Sequence, residues 1–276
     1  PDTGEDFDFF TYTQLRGLTT LDGNTLSASF GISIQGGSVE GYGYLGGNVT
    51  LSGGALAPDG DIFITGAFNQ LGGSTHLDGG TLLAASTLQF IAGRMQGAGT
   101  LSPAARFTAA TLSPQGALSV NGPLDLMSGA AVHFDIGGTT PGTQHDVITS
   151  GVTTLGGHLV VRLSGGFESS ITSADTFTLL DSTATLTGSF VNAPSGFLVT
   201  YDTDKLILSA WQPGSHETSA SWAAASFTPA QQADPLISGP SADPDADGRS
   251  NLLEYQLGTG PLAADQPAAP GLLTQG

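Results

Sequence analysis

The chain has 276 residues, 39% of them apolar, which is enough to fold around a sizeable core. Only six Lys and Arg stand against 24 Asp and Glu, a formal charge of −18, so nucleic acid and anionic membrane surfaces, which both call for basic patches, are poor partners and neither is expected. Cysteine is absent, which removes disulfides, thiolate nucleophiles and Cys-based zinc sites, and no apolar stretch approaches the ~20 residues of a membrane-spanning helix.

Residues 1–17 read as an N-terminal strand or arm. Phe7, Phe9, Phe10 and Tyr12 put aromatics on both of its faces, so it is expected to be covered on both sides, capping the open end of its own molecule or reaching a neighbouring copy.

From Leu18 the pattern is nearly continuous to Gly138. Short apolar alternations are separated by glycine pairs at 36–37, 46–47, 53–54, 72–73 and 79–80. One phrase occurs twice: Leu56-Ala57-Pro58-Asp59-Gly60-Asp61-Ile62-Phe63-Ile64 and, 56 residues later, Leu112-Ser113-Pro114-Gln115-Gly116-Ala117-Leu118-Ser119-Val120. Its offset sets Ile62 on Leu118, Ile64 on Val120 and Phe68 on Leu124. A strand this short cannot bury its apolar face alone, so copies must stack, and stacked Gly-punctuated strands predict a parallel β-helix, or β-solenoid. Ile62, Ile64, Leu118, Val120, Leu124, Leu126, Phe134 and Ile136 are expected inside. Residues 139–210 carry longer alternations, His158–Leu163 and Asp175–Leu180, then a predicted antiparallel hairpin, Phe197–Tyr201 with Lys205–Ser209, that closes the solenoid. The solenoid is thus expected over 18–210.

The run FDIGGTTPGTQHDVITSGVTTLGGHLVVRLSGGF (134–167) with DTFTLLDSTATLTGSFVNAP (175–194) resembles the last part of autotransporter-type passenger repeats of exported Gram-negative surface proteins, including those of Verrucomicrobia and Planctomycetes. The likeness covers roughly 40–210. It implies a parallel β-helix on the outside of the cell.

A boundary belongs near 211: eight of the 15 prolines but only seven of the 41 glycines fall in 211–276. Thr228-Pro229 predicts a short helix, with Thr as N-cap, ending before Asp234-Pro235. Residues 243–254, DPDADGRSNLLE, match D-x-D-x-D-G-x5-E without a gap. That spacing gathers Asp243, Asp245, Asp247, the Arg249 carbonyl, Asn251 and a bidentate Glu254 around Ca²⁺, with Gly248 at the sharp turn. With Tyr255 the segment resembles the calcium tails of exported Verrucomicrobial proteins and, more loosely, dockerin and thrombospondin type 3 repeats. An unpaired loop is expected to bind in the ~10⁻⁴ to 10⁻³ M range, which suits an extracellular or cell-surface location.

No catalytic site is expected. The five histidines show no ligand spacing, no G-x-S-x-G occurs, and the acid pairs Asp59/Asp61 and Asp202/Asp204 fall in predicted turns, where solvated acids are ordinary. The leading expectation is a non-enzymatic, secreted or cell-surface structural protein. It would self-assemble into filaments through its solenoid ends and an exchanged terminal strand, with Phe7, Phe9, Phe10 and Tyr12 as contacts. The alternative is an adhesin or carbohydrate-binding surface protein, marked by exposed aromatics in a row; a β-helix carbohydrate-active enzyme ranks third.

Overall fold

The computed structural model describes residues 7–209, 222–223, 226–246, 248–252, 254 and 261–262. The chain divides into two compact units, Pro1–Pro213 and Gly214–Gly276, close to the composition break at 211.

The first unit is a parallel β-solenoid. Each coil contributes three short strands, and strands of the same rank stack in register to build three sheets. Sheet I begins with Phe7–Phe9 on Thr25–Ala28 and continues through Gly43–Gly46 and Ile62–Ile64. Sheet II is nine-stranded, from Tyr12–Gln14 to Leu186–Gly188. Sheet III begins with Leu18–Thr20, Ser38–Glu40 and Ala55–Ala57. Two longer strands, Ser74–Ala84 and Arg94–Ser102, turn the corner between sheets III and I without a break in pairing to each other, except for a register shift between Asp78 and Thr81. Glycine is required at that corner: a Cβ on Gly80 would lie 2.0 Å from the Gly60 carbonyl oxygen of the coil beside it.

The strands form because their alternation matches the coil. Ile62–Ile64, Leu88–Phe90 and Leu124–Leu126 each run in, out, in. All eight residues expected inside are buried. Sheet II carries an aromatic spine, with Phe68 edge-on to Phe90 at 5.6 Å and Phe90 stacked on Phe107 at 4.5 Å. Burying each such ring stabilises the fold by roughly 2–3 kcal/mol.

The sequence repeat corresponds to three coils, and its offset holds for only part of each coil. Leu56 stacks on Thr75, Met95 and then Leu112, and the Phe68 column leads to Leu124, both at the expected offset of 56. In sheet I, however, Ile62 stacks on Leu82, Leu101 and Val120 rather than in the column of Leu118. The corner between Leu112 and Val120 is two residues longer than that between Leu56 and Ile62. An even slip preserves the inward face, so burial is as expected although the partner changes.

Residues 7–20 pair in parallel with residues 26–40 as the first coil, so the expected arm is continuous with the solenoid. Its aromatics are not covered on both sides. Phe7 and Phe9 stand over the buried Leu26 and Ala28 yet are 52% and 42% exposed, because among the described residues no coil stacks on their outer side. At the other end, Leu198–Tyr201 and Lys205–Ser209 form the expected hairpin, whose second strand pairs antiparallel with Thr176–Ser182.

In the second unit, Thr228 caps helix Pro229–Gln232 through a reciprocal capping box with Gln231. A second short helix, Pro235–Ser238, follows with Asp234 as N-cap; the reading of Asp234-Pro235 as a stop missed that the same pair also starts a helix.

Candidate functional site

Of the six residues expected to hold calcium, five are described and Asp247 lies outside the described residues. Gly248, expected at the sharp turn, has a φ of 92°, Ala246 is left-handed as well at 58°, and the Gly248 N–H donates to Asp243 Oδ2 at 3.0 Å. Glu254 is fully buried and Asn251 is 1% exposed. The Asn251 amide donates to the carbonyls of Ile237 and Gly239 at 2.7 and 2.8 Å, tying the loop to the end of helix Pro235–Ser238. Its Oδ1 is buried without a hydrogen-bond partner. An orphaned buried oxygen within an acidic loop of this spacing fits a hard cation that prefers oxygen donors. No group of three or more acidic or imidazole side chains is already gathered around a common point among the described residues.

The acid pairs are where the sequence places them. Asp59 and Asp61 are exposed at the corner between sheets III and I, and Asp61 Oδ1 accepts a hydrogen bond from the Thr81 N–H at 2.8 Å. Asp202 and Asp204 occupy the hairpin turn, with Lys205 Nζ 2.8 Å from Asp181 and 3.9 Å from Asp204. What the sequence reading did not find is the company of the first pair. A groove of about 740 Å³ opens at this corner, lined by Tyr42, Tyr44, Phe63, Asp59, Asp61 and Asp78 over a floor of glycines. Tyr44 and Phe63 come from adjacent coils in register and their rings stack, 5.2 Å between centroids and 25° between planes.

The two ends of the solenoid are chemically different. At the C-terminal end, Asn192 imitates a strand: its Oδ1 accepts from the Leu159 N–H at 2.9 Å and its Nδ2 donates to the Leu159 carbonyl at 2.8 Å. The Leu186 N–H is met by the Thr203 carbonyl at 2.8 Å. Phe177 closes the interior between Phe167 and Phe197, each edge-on at 6.1 Å, and Ile171 and Phe190 of the same end are buried as well. At the N-terminal end each of the three strands, among the described residues, pairs only with the coil inside it.

One further buried acid belongs to neither site. Asp146 Oδ1 accepts from the Gly116 N–H at 2.7 Å and Oδ2 from the Asp135 N–H at 2.8 Å, so a single carboxylate fastens the residues 137–147 excursion to the lengthened corner. Burial pushes its pKa up to about 6 despite those two donors. Next to it, burial lowers the pKa of His145, whose Nδ1 lies 3.1 Å from the Gly138 carbonyl. The sequence matches no known protein-family model and no curated protein.

Proposed function

We propose that this is a non-catalytic structural protein of the cell exterior, whose β-solenoid associates with a second copy through its N-terminal coil and whose 243–254 loop takes Ca²⁺. The observation that carries the reading is the asymmetry of the ends. Among the described residues the C-terminal edges are met in part by Asn192, Thr203 and the hairpin, whereas Phe7–Phe9, Tyr12–Gln14 and Leu18–Thr20 have no strand on their outer side, with Phe7 and Phe9 half-exposed at positions that are core one coil further in. Unpaired edges backed by apolar side chains are templates for strand addition. Since the first coil is already seated on its own chain, contact by edge addition supports association without strand exchange. Among the described residues the outer hairpin strand Leu198–Tyr201 also pairs on one side only, so the N-terminal coil has two possible receivers: a second N-terminal coil, which gives a closed pair and is the geometry proposed, or that hairpin strand, which gives a head-to-tail filament.

Sedimentation of the intact chain in millimolar calcium tests this. A dimer is expected, reduced to monomer by Phe9→Lys, which places a charge at the half-exposed head of the Ala28 column, with unchanged melting showing that the solenoid itself persists. A strictly monomeric intact protein would overturn the reading, and filaments by electron microscopy would restore the head-to-tail geometry.

A further inference from the structure

We propose that the groove at the corner between sheets III and I binds a short neutral oligosaccharide. The corner is hollow because glycine lines it. A Cβ on Gly60 would come within 2.9 Å of Tyr42 Cβ, and one on Gly23 would lie 3.2 Å from Tyr42 Cε2, so the Tyr42 ring rests against bare backbone. Above this floor, Tyr42 and Tyr44 are 50% and 47% exposed, and the Tyr44–Phe63 stack makes an aromatic wall that crosses two coils. Solvent-facing rings gathered in one concave place are a feature of ligand sites rather than of a monomer's ordinary surface.

The chemistry of the lining selects the ligand. The π-face of an aromatic ring is electronegative, and the C–H face of a pyranose, polarised by its oxygens, is its complement. Asp59, Asp61 and Asp78 stand on the rim as acceptors, and sugar hydroxyls donate to carboxylates in short charge-assisted hydrogen bonds. Asp61 has one oxygen committed to Thr81, which fixes the other relative to the wall. No Lys or Arg lines the groove, so uronic acids, sulfated sugars and phosphates meet three carboxylates and no counter-charge. A cationic peptide is the competing ligand class for such a rim, but it would not need the rings.

Isothermal titration with cellotetraose, xylotetraose and chitotetraose, against oligogalacturonate and oligolysine, separates these. Saturable binding of at least one neutral tetrasaccharide is expected, with oligogalacturonate silent and affinity about tenfold weaker in Tyr44→Ala. Tyr42→Ala is the second probe; both side chains are half-exposed, and unchanged melting of each variant confirms that the solenoid persists. Binding of oligolysine alone, binding of none of the neutral sugars, or sugar binding undiminished in both variants overturns the assignment. Because the groove lies on the side of the coils, these outcomes are independent of whether the N-terminal coil pairs with a second copy.

Discussion

Asp146 shows how one side chain sets a pH dependence. Burial holds its folded pKa at about 6, above the ordinary 3.8, so the folded state binds its proton more tightly than the unfolded chain does. The stability it contributes is therefore fully present below about 3.8 and is lost as pH rises through 6, a swing of at most roughly 3 kcal/mol for two pKa units. His145 runs the other way, since a base with a lowered pKa loses stability as pH falls below its ordinary 6.5. Subtracting the unfolding free energy of Asp146→Asn from that of the intact protein isolates the carboxylate. The carboxamide cannot accept both N–H groups, which adds a pH-independent offset, while the difference should still slope between pH 4 and 7. A flat difference would show that Asp146 is solvated. Neither this staple nor the Asn192 and Asn251 clamps could be read from sequence, because each joins segments whose proximity depends on coil lengths that vary.

At the level of the strand, the period-2 pattern carried most of the information. Which residues face inward follows from parity, and parity survived a two-residue slip that changed every sheet I partner of the repeated phrase. Val120→Asp places an unpaired charge among buried columns and should cost roughly 3–5 kcal/mol, abolishing cooperative melting of the solenoid. Its neighbour Ser119, which faces outward against Thr149 at 2.9 Å, should accept Asp with little change. Native melting of the Val120 variant would place the register in error. The groove was illegible for the same reason that the slip was: Tyr44 meets Phe63, and Gly80 meets Gly60, only once the number of residues in each coil is known. An isolated strand with rings on both faces, as in residues 7–12, admits cover on both sides. The structure instead turns the chain at Phe10, leaving it 80% exposed and stacked on Phe30 at 6.3 Å.

Across the whole chain, the solenoid core is complete without the calcium loop: every residue of its buried cluster lies between Leu21 and Leu208. The second unit has much less to hold it. Helices Pro229–Gln232 and Pro235–Ser238 are four residues each with no buried member, and what holds the segment includes their caps, the Trp222–Phe227 contact and the Asn251 clamp. Gathering Asp243, Asp245 and Glu254 around one point costs repulsion that a bound divalent cation would offset, and such binding would contribute folding free energy to this segment. Chelation should therefore speed proteolysis between residues 240 and 256 while leaving the melting of the solenoid unchanged, and added calcium should protect the same bonds with a midpoint in the ~10⁻⁴ to 10⁻³ M range. Asp245→Asn and Glu254→Gln separate the cation from the fold. Both should raise the calcium midpoint, and in chelator both should be cleaved no faster than the intact chain, because each removes a repulsive charge. Cleavage indifferent to calcium in the intact protein would reduce the loop to a solvated turn, and a solenoid that melted earlier in chelator would show that the cation acts on the first unit.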